Sequence, residues 1–269
     1  MTSLVDGARE EALSVFDEGL LRGDGCFEAI RSYAGSPFAF TPHYKRLTRS
    51  AAALEIPCPP APQLRAWVGE MAAEGGDCIV RIILTRGSAD RLPSRCIVLW
   101  QPLAPAASEL RLLPVAAPWH PGGQPWELTG VKTISYAPNM AASRLARSGG
   151  FDDALLVSKD GLVLEGPTFA VAWTRNGVIE TPALDLGILD SVTSRLLLSA
   201  VEADGQRVVR GRFSLAEMAE ANEVVAMSTV KEVTAVVSVG ESRYSPASLS
   251  AYMRSIYRDL VNQNERVRT

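Results

Sequence analysis

The chain has 269 residues, 47% hydrophobic and 21% charged, with a net charge of −3 and a pI near 5.6. That length suits two domains of ordinary size, and a weakly acidic balance with no basic block argues against nucleic-acid or anionic-membrane binding. No apolar run approaches the roughly 20 residues that span a bilayer. The opening stretch MTSLVDGAREEALSVFDEGLL is dotted with acids and is not read as a signal peptide, so a cytoplasmic location is expected.

In chain order, FEAIRSYAGSPFAF alternates around Ala34-Gly35-Ser36-Pro37 and predicts a β-hairpin. TPHYKRLTRSAAALEI predicts a helix with Thr41 as N-cap and Pro42 at its first position, and APQLRAWVGEMAAE predicts a second. DCIVRIILTRG, SRCIVLWQPL and ELRLLPVA read as strands, closing a smaller N-terminal domain over 1–116. Residues 117–130, rich in Pro, Gly and Trp, are expected to link it to a larger domain over 131–269.

That second half opens with APNMAASRLARSGG, a helix ended by Gly149-Gly150. Hairpins are expected to turn on Asp160-Gly161 and Asn176-Gly177. A helix follows through SVTSRLLLSAVEADG, and a final one lies near 246–263. Hairpins this frequent point to an α+β class rather than a doubly wound parallel sheet.

Of 27 basic residues only Lys45, Lys132, Lys159 and Lys231 are lysine, the rest arginine. Charge alone gives a chain so rich in arginine no reason to place lysine in GVKTISYAPNM. An amine can lose its proton and act as a nucleophile or base, whereas a guanidinium cannot. Cys26, Cys58, Cys78 and Cys96 lie far apart and read as reduced core thiols. His43 and His120 are the two histidines, a poor supply for a metal site or a catalytic triad, and no metal is expected.

Other residues could serve an anionic cofactor joined to that lysine. Arg46, early in its helix, could clamp a phosphate or sit on a solvated face with Lys45 and Arg49. Ser191, Val192 and Thr193 open a helix whose free N–H groups suit a phosphate or need only ordinary capping. Ser228 and Thr229 follow a strand. Glu165 ends another, either as a surface carboxylate or as the partner of a pyridine nitrogen. Tyr136, four residues after Lys132, could donate to a ring hydroxyl or simply pack.

Four ordered stretches together carry a resemblance to a known family: DEGLLRGDGCFEAIRSYAGSPF with HYKRL, VKTISYAPNMAASRLARSGGFDDALLVSKDGLVLEGP, TPALDLGILDSVTSR, and STVKEVTAV. The chain resembles the pyridoxal-phosphate-dependent aminotransferases of fold type IV along nearly its whole length. The resemblance implies pyridoxal 5'-phosphate as cofactor, Lys132 as the Schiff-base lysine and Arg46 as the phosphate arginine. It places Glu165 on the pyridine nitrogen and Tyr136 near the ring hydroxyl, with phosphate contacts from Val192, Thr193, Ser228 and Thr229. It also implies a homodimer with amino acid and 2-oxo acid substrates.

The chain departs from the family pattern at Pro167-Thr168-Phe169-Ala170, where Ser or Thr and then Asn are usual, and at Asp190-Ser191-Val192-Thr193 in place of Pro-Gly-Ile-Thr. LTRGSADRLP resembles the D-amino-acid aminotransferase and aminodeoxychorismate lyase branch, with Arg91 as holder of the substrate α-carboxylate and Pro93 replacing a histidine. Phe27 stands for a tyrosine in the substrate pocket, and Trp119 and Trp126 either wall that pocket or pack elsewhere. The expected activity is transamination favouring D-amino acids. The alternatives are 4-amino-4-deoxychorismate lyase, a branched-chain aminotransferase, and a cofactor-binding homologue without turnover.

Overall fold

The computed structural model describes residues 2–88, 93–105, 107–245 and 248–266. The chain divides into two compact units, one of Met1–Pro105, Val131–Tyr136 and Asn264–Thr269, the other of Ala106–Gly130 and Ala137–Gln263.

The first unit contains β1 (Ser3–Val5), β2 (Ala8–Arg9), α1 (Glu18–Arg22), β3 (Gly25–Tyr33), β4 (Ser36–Pro37), α2 (Phe40–Ala53), α3 (Ala61–Gly75), β5 (Cys78–Thr85) and β6 (Arg95–Pro102). Its sheet is antiparallel, in the order β2-β1-β6-β5-β3-β4. Strand side chains alternate between faces, so the even positions Cys26, Ile30, Val80, Ile82, Leu84, Cys96 and Val98 form one core with Leu47, Leu64, Val68 and Met71 of the helices. Phe27 and Arg81, at odd positions, point to the opposite face.

The predicted hairpin forms: β3 and β4 pair across Ala34 (φ 45°) and Gly35 (φ 82°), the two left-handed residues of a type I′ turn. Asp77 steadies the less tolerant Ala34 by accepting its N–H at 2.8 Å. The start of α2 differs from expectation. The cap is Ala39, left-handed at φ 55°, and the helix begins at Phe40. Thr41 is thus already the second residue of the helix, and its hydroxyl accepts from Arg65 Nη2 at 3.0 Å.

The second unit carries β7 (Glu109–Ala116), α4 (Ala137–Ser148), β8 (Asp153–Val157), β9 (Ala170–Arg175), β10 (Val178–Pro182), α5 (Val192–Ala203), β11 (Val208–Gly211), α6 (Leu215–Ala219), β12 (Glu223–Ser228), β13 (Glu232–Val239), β14 (Ser242–Arg243) and α7 (Ser248–Arg266). Seven strands run β11-β10-β9-β12-β13-β7-β8, with β14 beside β13. β7 pairs in parallel with both β13 and β8, so it belongs to this sheet and not to the N-terminal one in which the sequence reading put it. ELRLLPVA looks like any buried strand, and its partners lie far along the chain.

Residues 117–130 are stitched to the same unit, Ala117 N–H donating to Val157 O at 2.9 Å and Gly123 N–H to Leu186 O at 3.1 Å. The Asn176-Gly177 hairpin forms as expected between β9 and β10. The return arm after Asp160-Gly161 also pairs back on β8: Ser158 N–H donates to Leu162 O at 2.9 Å, Leu164 N–H to Leu156 O at 3.0 Å and Leu156 N–H to Glu165 O at 2.8 Å, with a bridge between Val157 and Val163.

Candidate active site

Lys132 is fixed by its backbone before its side chain is considered. Phe27 N–H donates to Lys132 O at 3.0 Å, Ile134 N–H donates to Gly25 O at 3.0 Å, and Cys26 bridges Thr133. The segment is thus a short antiparallel addition to the edge of β3. On its other side, Lys132 N–H donates to Ser50 Oγ of α2 at 3.1 Å. Gly25 is closely packed on both sides: a Cβ there would stand 2.4 Å from Leu84 O of β5 and 2.9 Å from Ile134 Cδ1 of this segment.

The Lys132 side chain is half-buried among aromatic rings. Its Nζ donates to Tyr136 OH at 3.3 Å and stands 4.3 Å from the Phe27 ring centre. Phe27 and Tyr136 meet edge to face, 5.2 Å between centres. The structure therefore brings Lys132, Tyr136 and Phe27 together.

Arg46 does not lie on a solvated helix face; it is 4% exposed. Its Nε and Nη2 both donate to the carboxylate of Glu28, each at 2.7 Å, and His43 Nδ1 lies 2.8 Å from the same carboxylate. His43 and Arg46 are one turn apart on α2, so both reach the inward position of β3 that Glu28 occupies. Burial alone would raise the Glu28 pKa; the charge and hydrogen bonds of Arg46, with His43, overcome this and hold it at about 2. Burial pushes the His43 pKa down, against the pull of Glu28.

The sequence reading missed Glu28, His43 and Arg81. A carboxylate at the buried parity of CFEAI was the available signal for the first. Arg81 of β5 is half-buried, donates from Nε to Gln101 Oε1 at 2.5 Å, and has its guanidinium 5.9 Å from the Phe27 ring centre. Burial lowers its pKa, and among the described residues no carboxylate pairs with it. Arg91 lies outside the described residues.

In the second unit, Glu165 sits on the turn Glu165-Gly166-Pro167. Gly166 is packed so closely that a Cβ there would fall 2.2 Å from the Phe169 ring, and its N–H donates to Phe169 O at 2.7 Å. The Phe169 that departs from the family pattern is therefore a buried residue closing this turn, and Asn139 Nδ2 donates to Pro167 O at 3.1 Å. Leu189 N–H donates to Glu165, 3.2 and 3.3 Å from the two oxygens, and His120 Nε2 lies 3.6 Å from Oε1.

At the start of α5, Ser191 caps the helix by accepting from Ser194 N–H at 3.2 Å. Val192 and Thr193 are buried in its first turn. Asp190, the acid at this unusual loop, is answered by Arg195 Nη1 at 2.5 Å. Thr193 Oγ1 and Thr229 Oγ1 lie 3.5 Å apart, which places two hydroxyls beside the helix N-terminus. Ser228 Oγ accepts from Lys231 N–H at 3.0 Å within its own turn. Trp126 is exposed, and Trp119 donates from Nε1 to Asn139 Oδ1 at 3.3 Å.

The inventory is a lysine amine beside a phenol, a buried arginine, a held carboxylate, and hydroxyls at a helix N-terminus. The amine, the phenol and the arginine belong to the first unit, the carboxylate and the hydroxyls to the second. A family model for amino-transferase class IV matches residues 25–239. The chain is 29% identical over 250 residues to a putative branched-chain-amino-acid aminotransferase of Methanocaldococcus jannaschii, covering 86% of this chain and 84% of that one. It is 32% identical over 212 residues to a bifunctional aminodeoxychorismate lyase / D-amino acid transaminase of Mycobacterium tuberculosis, covering 70% and 72%. Its structure is similar to that of a fold IV transaminase from Curtobacterium pusillum, with a TM-score of 0.86, 29% identity, and 97% and 98% of the two chains covered.

The chain belongs to the class IV aminotransferases. It has fold type IV, and its cofactor is the pyridoxal 5'-phosphate that this family uses. No helix among the described residues is long and apolar enough to cross a membrane.

Proposed function

We propose that the protein is a transaminase that moves an amino group from a D-amino acid to a 2-oxo acid, with Lys132 as its catalytic residue. The observation that carries this reading is the Lys132 amine, pinned through its backbone to β3 and α2 and held against Tyr136 and Phe27. When bound, pyridoxal phosphate supplies an aldehyde for amine exchange and an electron-withdrawing ring that acidifies the substrate Cα–H. The free amine of Lys132 would take the proton from Cα and deliver it to the cofactor's aldehyde carbon, a transfer no arginine could perform.

Tyr136 orients that amine and faces the ring hydroxyl. Glu165 holds the proton on the ring nitrogen. Arg46, Val192, Thr193, Ser228 and Thr229 receive the phosphate. Phe27 forms an apolar wall, and Arg91 takes the substrate α-carboxylate. Arg81, a half-buried cation without an acidic partner among the described residues, supplies a second seat for a carboxylate.

The D-preference is supported by Thr85-Arg86-Gly87 with Arg91 and by the bifunctional relative. That relative equally favours a second reading, elimination of pyruvate from 4-amino-4-deoxychorismate. Incubation with D-alanine and 2-oxoglutarate, and separately with aminodeoxychorismate, tells the two apart. Pyruvate formed in the second assay alone would sink the transaminase. Borohydride reduction of the loaded protein followed by peptide mapping should find the pyridoxyl mass on Lys132.

A homodimer is part of the same reading. Val15, Phe16, Leu20 and Leu21 expose apolar side chains over one short segment, an area suited to a second copy. Light scattering should give twice the 28.9 kDa chain mass. A cytoplasmic location is supported by four free cysteines.

A further inference from the structure

His120 lies in the turn-rich stretch before Gly130, with a side chain 9% exposed. Its Nδ1 accepts the N–H of Gly122 at 3.4 Å. With Nδ1 turned to that backbone N–H, the other ring nitrogen faces away from it. Nε2 stands 3.6 Å from Oε1 of Glu165. Leu189 N–H reaches the same carboxylate from another segment. The backbone on which His120 depends is itself specialised, with Gly122 and Gly123 at φ 57° and 93° and Gly123 tied to Leu186.

We infer that His120 is a positioning residue for Glu165: its ring, held at Nδ1 by the Gly122 N–H, sets the carboxylate's orientation toward the pyridine nitrogen. The inference rests on the proposed role of Glu165. His120 touches neither substrate nor cofactor in this role and acts through the carboxylate alone. The side chain at this position must offer an N–H at the Nε2 location. Ring volume is not enough.

The test compares His120→Phe, which keeps a ring without an N–H, with His120→Gln, whose amide restores a donor. Each protein is loaded with pyridoxal phosphate. Cofactor affinity is measured by fluorescence quenching, transamination by kcat and KM, and folding by the thermal midpoint of the apoprotein. Losing this polar partner of Glu165 should weaken cofactor binding and lower kcat by about tenfold in His120→Phe, with KM for the amino donor moved less than about twofold. His120→Gln should recover most of both. Should His120→Phe not fold, His120→Leu replaces it in the same comparison.

A His120→Phe protein equal to wild type in affinity and kcat overturns the inference alone, and so does a His120→Gln protein as impaired as His120→Phe. A wild type that takes up no cofactor on Lys132 overturns this inference together with the proposed function.

Discussion

Glu28 and Arg46 form a bidentate ion pair at 2.7 Å inside the first unit, the carboxylate fully buried. Two of the guanidinium's nitrogens are thereby committed to the protein, and its charge is balanced before any anion arrives. Replacing Glu28 by Ala leaves an uncompensated buried cation, which should cost about 3–5 kcal/mol. A urea unfolding midpoint unchanged from wild type would contradict the pairing.

The same cluster predicts an acid-labile unit. Glu28 is held at about 2 against an ordinary 4.5, so its contribution is complete above 4.5 and is lost as pH falls toward 2. His43 is also depressed, from 6.5, and its loss begins as pH drops below that value, because the unfolded chain takes up a proton that the folded one refuses. Denaturant midpoints should therefore fall as pH drops from 6.5 toward 2, through His43 first and through Glu28 below 4.5, and Glu28→Gln should flatten the part below 4.5.

Lys132→Ala should abolish transamination while the backbone bonds to Phe27 and Ser50, which use main-chain atoms, keep the fold. A circular dichroism spectrum and thermal midpoint near wild type, with no detectable turnover, is the expected pair. Retained full activity would remove Lys132 from the chemistry.

Arg81→Leu is predicted to move stability and activity in opposite directions. A half-buried cation with no carboxylate partner among the described residues costs desolvation energy, so its removal should raise the thermal midpoint. Loss of a charge-assisted contact should reduce kcat/KM for dicarboxylic substrates by about 10- to 100-fold. Alanine, with a single carboxylate, should suffer less.

Gly25→Ala should destabilise the first unit by about 1–3 kcal/mol, because the new Cβ would meet the backbone oxygen of Leu84 at 2.4 Å and neither strand can retreat. Its apoprotein should unfold at lower urea concentration than wild type.

Local signals were easy to read where one residue type decides the backbone. Asn176-Gly177 and Ala34-Gly35 turn their hairpins, and Ser191 caps α5. Lys132 and Tyr136 stand four residues apart in one stretch, whereas the meeting of Phe27 with them comes from the pairing of that stretch with β3. Long-range partnership was not legible. Nothing in ELRLLPVA says that β7 pairs with β13 and β8, and nothing near Thr41 says that Arg65 occupies its hydroxyl. Glu28 was hidden for the opposite reason: its strand parity marked it as buried, but its partners come from the next helix.

The strand that Lys132–Ile134 adds to β3 also bears on how the chain is made. Gly25, Cys26 and Phe27 leave the ribosome well before the segment that pairs with them. Until residue 134 emerges, that border of the sheet keeps unsatisfied amides and carbonyls, the usual template for mispairing between chains. Expression fragments that stop short of it should aggregate, whereas those reaching past Tyr136 carry their own seal.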